Sequence, residues 1–234
     1  MIAKDIFIIL VLGIAYFIAA RFGLAFDAVS GFATMVWPPT GISLAVMLLF
    51  GYRVWPGIAL GAYAANVSVG ASLFVAGGIA FGNTMEAIAG VYLLRRFTNF
   101  DTTLQHLQSV LGLIFYGALL STLISATIGV ASLWLGGVVA ASALVDTWTA
   151  WWIGDMLGNL IIAPFLLVWW FPWRFYMPKN FIGWLEAVGI VAVLALFNFL
   201  MFGPLHLTQL RPFIYILFVP LLWAAIRFGQ RIMT

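Results

Sequence analysis

Two of the seven carboxylates in this 234-residue chain lie where charge is costly. Asp155 sits in WTAWWIGDMLGNLIIAP, Trp148 to Pro164, within an apolar run over 144–170. Glu86 sits in a second run over 72–94. A carboxylate at membrane depth costs about 2.5–3.5 kcal/mol on insertion scales, so such a residue is usually kept for a partner or a task. Helical spacing puts Trp148, Trp151 or Trp152, Asp155 and Asn159 on one stripe. Gly154 and Gly158, four apart, let another backbone approach there. In the earlier run Gly78, Gly82, Glu86 and Gly90 recur every four residues, with Asn83 one turn before Glu86. Packing alone explains the glycines well and the glutamate poorly.

Other chemistries find no residues to carry them. The chain has no cysteine, which removes thiolate metal sites, disulfides and thiol redox chemistry. His106 and His206 are predicted on opposite sides of the membrane, so they cannot ligate one haem. No zinc-binding spacing is present, and GGIAFGN resembles a phosphate loop only by composition. Nothing supports nucleophilic catalysis. No cofactor and no metal are expected, and the chain is predicted not to be an enzyme. A ligand pocket or a proton or ion path through Asp155 and Glu86 remains.

Composition decides where these acids are held. The chain is 65% hydrophobic and 7% charged, against about 25% charged in an ordinary soluble domain. Such a chain is an integral membrane protein whose helices satisfy their own backbone groups. The alternating strands of an outer-membrane barrel are absent. Its first segment reads as a retained span and not a cleaved signal. The net charge of +3 is spread singly or in pairs between apolar runs and does not indicate nucleic-acid binding.

Eight apolar runs are predicted, over 6–26, 32–51, 54–70, 72–94, 107–133, 144–170, 182–203 and 210–227. With the N-terminus inside, the inner side receives Lys4, Arg53, Arg95, Arg96, Arg174, Lys179, Arg227 and Arg231. The outer side receives Arg21 and Arg211. This bias predicts that both termini are cytoplasmic and that the number of spans is even. The fold class is therefore all-α: a polytopic bundle of about eight transmembrane helices. The second span is broken at Pro38-Pro39, because two prolines remove two amide donors and push Trp37 out of helix. An outer segment over 28–36, a break, and a helix of about 13 residues (roughly 20 Å) are expected. Such breaks are tolerated where they face protein or a water-filled cavity, and in transporters they often mark binding sites. The fifth run shows no chemistry of its own.

Runs four and six both descend from the outer side. Counted from their outer ends, Asn83 and Asp155 lie at one level, about 15 Å deep, and Glu86 and Asn159 at another, about 21 Å deep. Neighbouring spans would let Asn83 meet Asp155 and Glu86 meet Asn159. No Lys or Arg shares either level, so the acids must be hydrogen-bonded, protonated or wet. The expected site is one polar ligand-binding pocket, open or openable to the outer side. It is lined by Trp37, Asn66, Asn83, Glu86, Trp151, Trp152, Asp155 and Asn159.

Five segments together carry a resemblance: VWPPTGISLA, YRVWPGIALGAYAANV, FGNTMEAIAGVYLLRR, WTAWWIGDMLGNLIIAP and FVPLLWAAIRFGQR. In this order they resemble the first membrane-associated sensor family (MASE, type one), the multi-span input domain of many bacterial signalling proteins. The resemblance covers nearly the whole chain. It implies one sensor domain over 1–234 in the bacterial cytoplasmic (inner) membrane, embedded in the lipid bilayer and regulating a cytoplasmic output module. That module is commonly a histidine kinase of a two-component system or a diguanylate cyclase of cyclic di-GMP signalling. Dimeric output modules imply a homodimer. The family's recurrent polar positions fall on Asn83, Glu86, Trp152, Gly154, Asp155, Gly158 and Pro164. No output module follows Thr234, so the sequence is read as a fragment, or as a chain acting alone or with a separate partner. Three functions stay open: a sensor of a small-molecule ligand or membrane state, a small-solute or proton transporter using Asp155 and Glu86, and an anchoring scaffold.

Overall fold

The computed structural model describes residues 2–25, 36–170 and 181–202. All regular elements among them are helical. We label them α1 (Ile2–Leu24), α2 (Pro38–Phe50), α3 (Trp55–Ser68), α4 (Leu73–Phe97), α5 (Leu107–Leu135), α6 (Leu144–Trp170) and α7 (Phe181–Phe202). The chain divides into two compact units, Met1–Trp170 and Phe171–Thr234. The second unit contributes α7 to the described residues; the polar residues discussed below belong to the first.

The helix start expected at Pro38-Pro39 is present: α2 begins there with prolines in its first turn and Trp37 outside helical geometry (φ −110°, ψ 89°). Proline suits this position because the first amides of a helix have no partner within it. The helix then runs for the 13 residues expected and ends at Gly51, whose φ of +87° favours glycine. Two expectations need correction. First, α2 and α3 have 13 and 14 residues, about 20 Å each, and neither spans a hydrocarbon core of about 30 Å as a helix. Among the described residues, four stretches are long and apolar enough to cross: Ala3–Leu24, Leu73–Phe97, Leu107–Leu135 and Ala141–Trp170. Second, seven helices are described where eight runs were predicted. The run over 210–227, the turn over 171–180 and, apart from Val36, the segment over 28–36 lie outside the described residues.

In the first unit α1 packs on α3, α3 on α4, α4 on α5 and α5 on α6, while α2 packs against α1, α4 and α6. Small residues make the closest crossings. Gly57 and Gly61 of α3 face the Ile9 and Gly13 carbonyls of α1, and Gly78 and Gly82 of α4 face Ser132 and Ile128 of α5. At the crossing of α2 and α6, Gly41 lies against the Gly158 carbonyl and Gly158 against the Trp37 carbonyl, with no room for a Cβ at either. This is the close backbone approach expected from the Gly154–Gly158 spacing.

The described arginines sort to two ends of this unit. Arg53 pairs with Asp5 at 3.3 Å, and Arg95 donates to the Leu48 carbonyl at 3.1 Å and lies over the Tyr52 ring. Arg21, at the other end of α1, reaches Ser68 at the end of α3. In the loop before α5, Asp101 accepts from the Thr103 amide at 3.0 Å and from the Thr103 hydroxyl. These bonds hold its carboxyl below the ordinary carboxylate range.

The α2–α6 crossing predicts opposite outcomes for two alanine substitutions. Gly158→Ala forces a Cβ into the Trp37 carbonyl and should destabilise by about 1–3 kcal/mol. Gly77→Ala, with open space around its added Cβ, should be neutral or stabilise by up to about 1 kcal/mol. Thermal unfolding in detergent or nanodiscs checks both, and equal midpoints would contradict the crossing.

Candidate functional site

The tip of α2 meets the middle of α6 beside Asp155. Pro38 and Pro39 carry no amide hydrogen, so Trp37 supplies the backbone donor at the break. That amide donates to the Gly154 carbonyl of α6 at 2.9 Å. Three residues on, the Thr40 hydroxyl donates to Asp155 Oδ1 at 2.9 Å. From the other side the Ser125 hydroxyl of α5 donates to Asp155 Oδ2 at 2.6 Å. The Trp151 indole also lies beside the carboxyl. Asp155 thus joins three helices through one carboxyl group, and the N-terminal end of α2 adds a favourable dipole for negative charge.

Glu86 lies next to it. Asn159 Nδ2 donates to Glu86 Oε1 at 3.3 Å and to the Gly117 carbonyl at 2.6 Å. Glu86 and Asp155 are near enough to interact as a carboxyl pair. A hydrogen bond between two carboxyl groups needs a proton on one of them. No described basic side chain compensates them: Arg53, Arg95 and Arg21 are engaged at the ends of the unit.

The structure therefore brings together most of the predicted residues, with corrections. The expected meeting of Glu86 and Asn159 is observed, and Trp37, Trp151 and Asp155 share the same buried region. Asn83 does not bond Asp155. Its Nδ2 donates instead to the Tyr16 hydroxyl of α1 at 2.7 Å, while hydroxyls from α2 and α5 supply Asp155. Asn66 turns back to the Ala62 carbonyl of its own helix at 2.9 Å and makes no described bond to the cluster. Trp152 is half-buried, stacks on Trp148 and donates to the Leu119 carbonyl at 3.1 Å. The pocket, expected to be open or openable, is closed in this structure: Asn83, Glu86, Asp155 and Asn159 are all buried. A wholly apolar groove of about 320 Å³ lies elsewhere, between α5 and α6, lined by Val130, Ala131, Trp134, Leu144, Val145 and Trp148.

Tyr16, Thr40 and Ser125 were missed. A hydroxyl on a membrane helix commonly bonds its own backbone one turn back, as Ser121, Thr122 and Ser132 do here. Only the repetition of small polar residues at 121, 122 and 125, next to Gly117 and Gly129, marked α5 as a packing face. The backbone of α5 is also unusual, with π-helical turns over Leu113–Leu120. The carbonyls that receive Asn159 and Trp152, of Gly117 and Leu119, belong to this stretch. Such turns recur at functional sites because they loosen the regular ladder.

The convergence on Asp155 can be measured as a coupling. Ser125→Ala removes a donor from a buried carboxyl and should cost about 1–2 kcal/mol. The same change made in an Asp155→Leu background should cost much less. A double-mutant cycle read by equilibrium unfolding checks this, and additive losses would contradict the bond.

The model of the family designated MASE1 matches residues 8–233. The chain is 26% identical over 225 residues to the probable diguanylate cyclase DgcE of Escherichia coli (strain K12), covering 92% of this chain and 19% of that protein. The chain thus spans about a fifth of the length of the curated relative it matches. No solved structure matches.

Proposed function

Because the chain belongs to the MASE1 family, a family of membrane-associated sensor domains, we propose that it perceives a ligand or membrane state at the Asp155–Glu86 cluster and regulates a cytoplasmic output module. The supporting observation is Asp155 itself. One carboxyl group holds the tip of a broken helix, α2, to both α5 and α6. Anything that changes the charge or partners of that carboxyl changes how three helices pack. A signal needs differential affinity for two such arrangements and not binding alone.

The output is proposed to be of the diguanylate cyclase or histidine kinase type. The name of the Escherichia coli relative supports the first. The matched part is 19% of that protein, which supports reading its cyclase activity as lying in the remainder. We read residues 1–234 as one sensor module of the bacterial inner membrane, with both termini cytoplasmic. The gathering of Asp5, Arg53 and Arg95 at one end of the first unit, away from Arg21, supports that orientation. The signal would leave through the C-terminal end, and a homodimer follows from the dimeric habit of such output modules. The ligand-binding role of Trp37, Asn66, Asn83, Glu86, Trp151, Trp152, Asp155 and Asn159 is reweighted by geometry: Asn66 and Trp152 become supports outside the cluster.

A second reading, transport of a small solute or proton through Asp155 and Glu86, is favoured by the broken α2 ending at buried acids. Uptake into proteoliposomes that depends on Glu86 would promote it.

The sensor reading is tested by placing the chain ahead of a diguanylate cyclase and replacing Asp155 by Asn. At unchanged protein level, output should shift by about five-fold or more, a coupling of at least about 1 kcal/mol. Output that is the same as wild type in every condition would remove Asp155 from signalling.

A further inference from the structure

The buried cluster holds more hydrogen-bond acceptors than donors. Glu86 Oε2, Asn83 Oδ1 and Asn159 Oδ1 have no hydrogen-bond partner, although these residues are 2%, 4% and 1% exposed. The unpartnered donor in the same region is Trp37 Nε1, which approaches the Tyr16 hydroxyl without a well-formed bond. Buried acceptors are nearly always satisfied, so each exception needs a cause. These three are neighbours. Asn83 and Glu86 share one face of α4, three residues apart. Asn159 faces them from α6, and the carbonyl prong of its amide is bonded to the same carbon as the nitrogen that donates to Glu86.

Charge narrows the cause. Asp155 has two hydroxyl donors and the N-terminal end of α2. Glu86 accepts a long bond from an amide whose shorter bond goes to the Gly117 carbonyl, and otherwise lies beside Ser125 and Asp155. A carboxyl pair that shares one proton keeps a single negative charge, and no described basic side chain lies beside this pair. A further proton would answer the charge, but a carboxyl O–H serves a single acceptor, so at least one of the two amide oxygens would stay unpartnered. One small cation answers both, because a hard cation takes carboxylate and amide oxygens together. A divalent ion would leave surplus positive charge at membrane depth.

We propose that Glu86, Asn83 and Asn159, with Asp155 as the adjoining anion, form a binding site for one sodium-sized monovalent cation. The site is closed over by the tip of α2, so entry of the ion requires movement at the Trp37–Gly154 and Thr40–Asp155 contacts. Occupancy is thereby tied to the packing of α2 on α6. Cation binding stands independently of the sensor reading; only its purpose as the perceived signal rests on that reading.

The test is thermal unfolding of the full chain in nanodiscs, in choline chloride exchanged stepwise for sodium chloride at constant ionic strength. Lithium and potassium chloride serve as selectivity arms. The midpoint should rise saturably with sodium, by roughly 5–10 °C at about 100 times the Kd. The rise should be weaker with potassium and absent in Glu86→Gln and Asn83→Ala. Equilibrium binding of radiolabelled sodium to the wild-type chain, at near one ion per chain, decides the matter should those variants not fold. Identical midpoints in sodium and choline, a rise retained in Glu86→Gln, or a response to acid without one to sodium would each overturn the proposal. An Asp155→Asn effect on cyclase output that survives such a failure would leave the sensor reading standing without the cation.

Discussion

The first unit depends on how the broken end of α2 is closed. A helix that begins in the middle of a membrane protein exposes backbone groups that hydrocarbon cannot satisfy. Here the first two positions are prolines, which have no amide to satisfy, and the Trp37 amide is taken by the Gly154 carbonyl. The absence of a side chain at Gly158, which lies against the Trp37 carbonyl, makes that distance reachable. Asp155 then fixes the tip from the side through Thr40 and draws in α5 through Ser125. Packing, polarity and a sequence anomaly meet at one point, and the short length of α2 is its consequence.

Charge placement follows from the same constraint. Basic residues are kept to the ends of the unit, where Arg53 finds Asp5 and Arg95 finds the Leu48 carbonyl. The interior is left with two acids whose partners are neutral hydroxyls and amides. Hydrogen bonds of this kind between membrane helices are individually modest, about 0.6 kcal/mol on average and at most about 1.7. A cluster built from them is therefore poised to rearrange, whereas a buried Arg–Asp pair would lock it. That poise suits a domain of a sensory family better than rigid anchoring does.

Much of this was legible in the chain. Pro38-Pro39 announced where α2 begins and how long it runs. Counting residues from the outer ends placed Glu86 opposite Asn159, because helical rise is fixed. The count failed for Asn83 and Asp155 because it compared two spans only. Tyr16 of α1 and Thr40 of α2 are equally near in depth, and a tyrosine or threonine in an apolar run carries no outward mark of a polar task. Asn66, expected beside the cluster, satisfies itself on its own backbone, as an amide near a helix end can. The π-helical turns of α5 left no composition signal, since LIFYGALL is uniformly apolar apart from its tyrosine.

Amide hydrogen exchange at Trp37, in the full chain embedded in a bilayer, tests the central claim most directly. If the tip of α2 is closed onto α6, this amide, preceding two prolines and outside any helix, should exchange as slowly as amides in the interior of α6. Exchange as fast as that of the turn at Val69-Gly70 would contradict the closure and with it the account of Asp155 as the point where three helices are held.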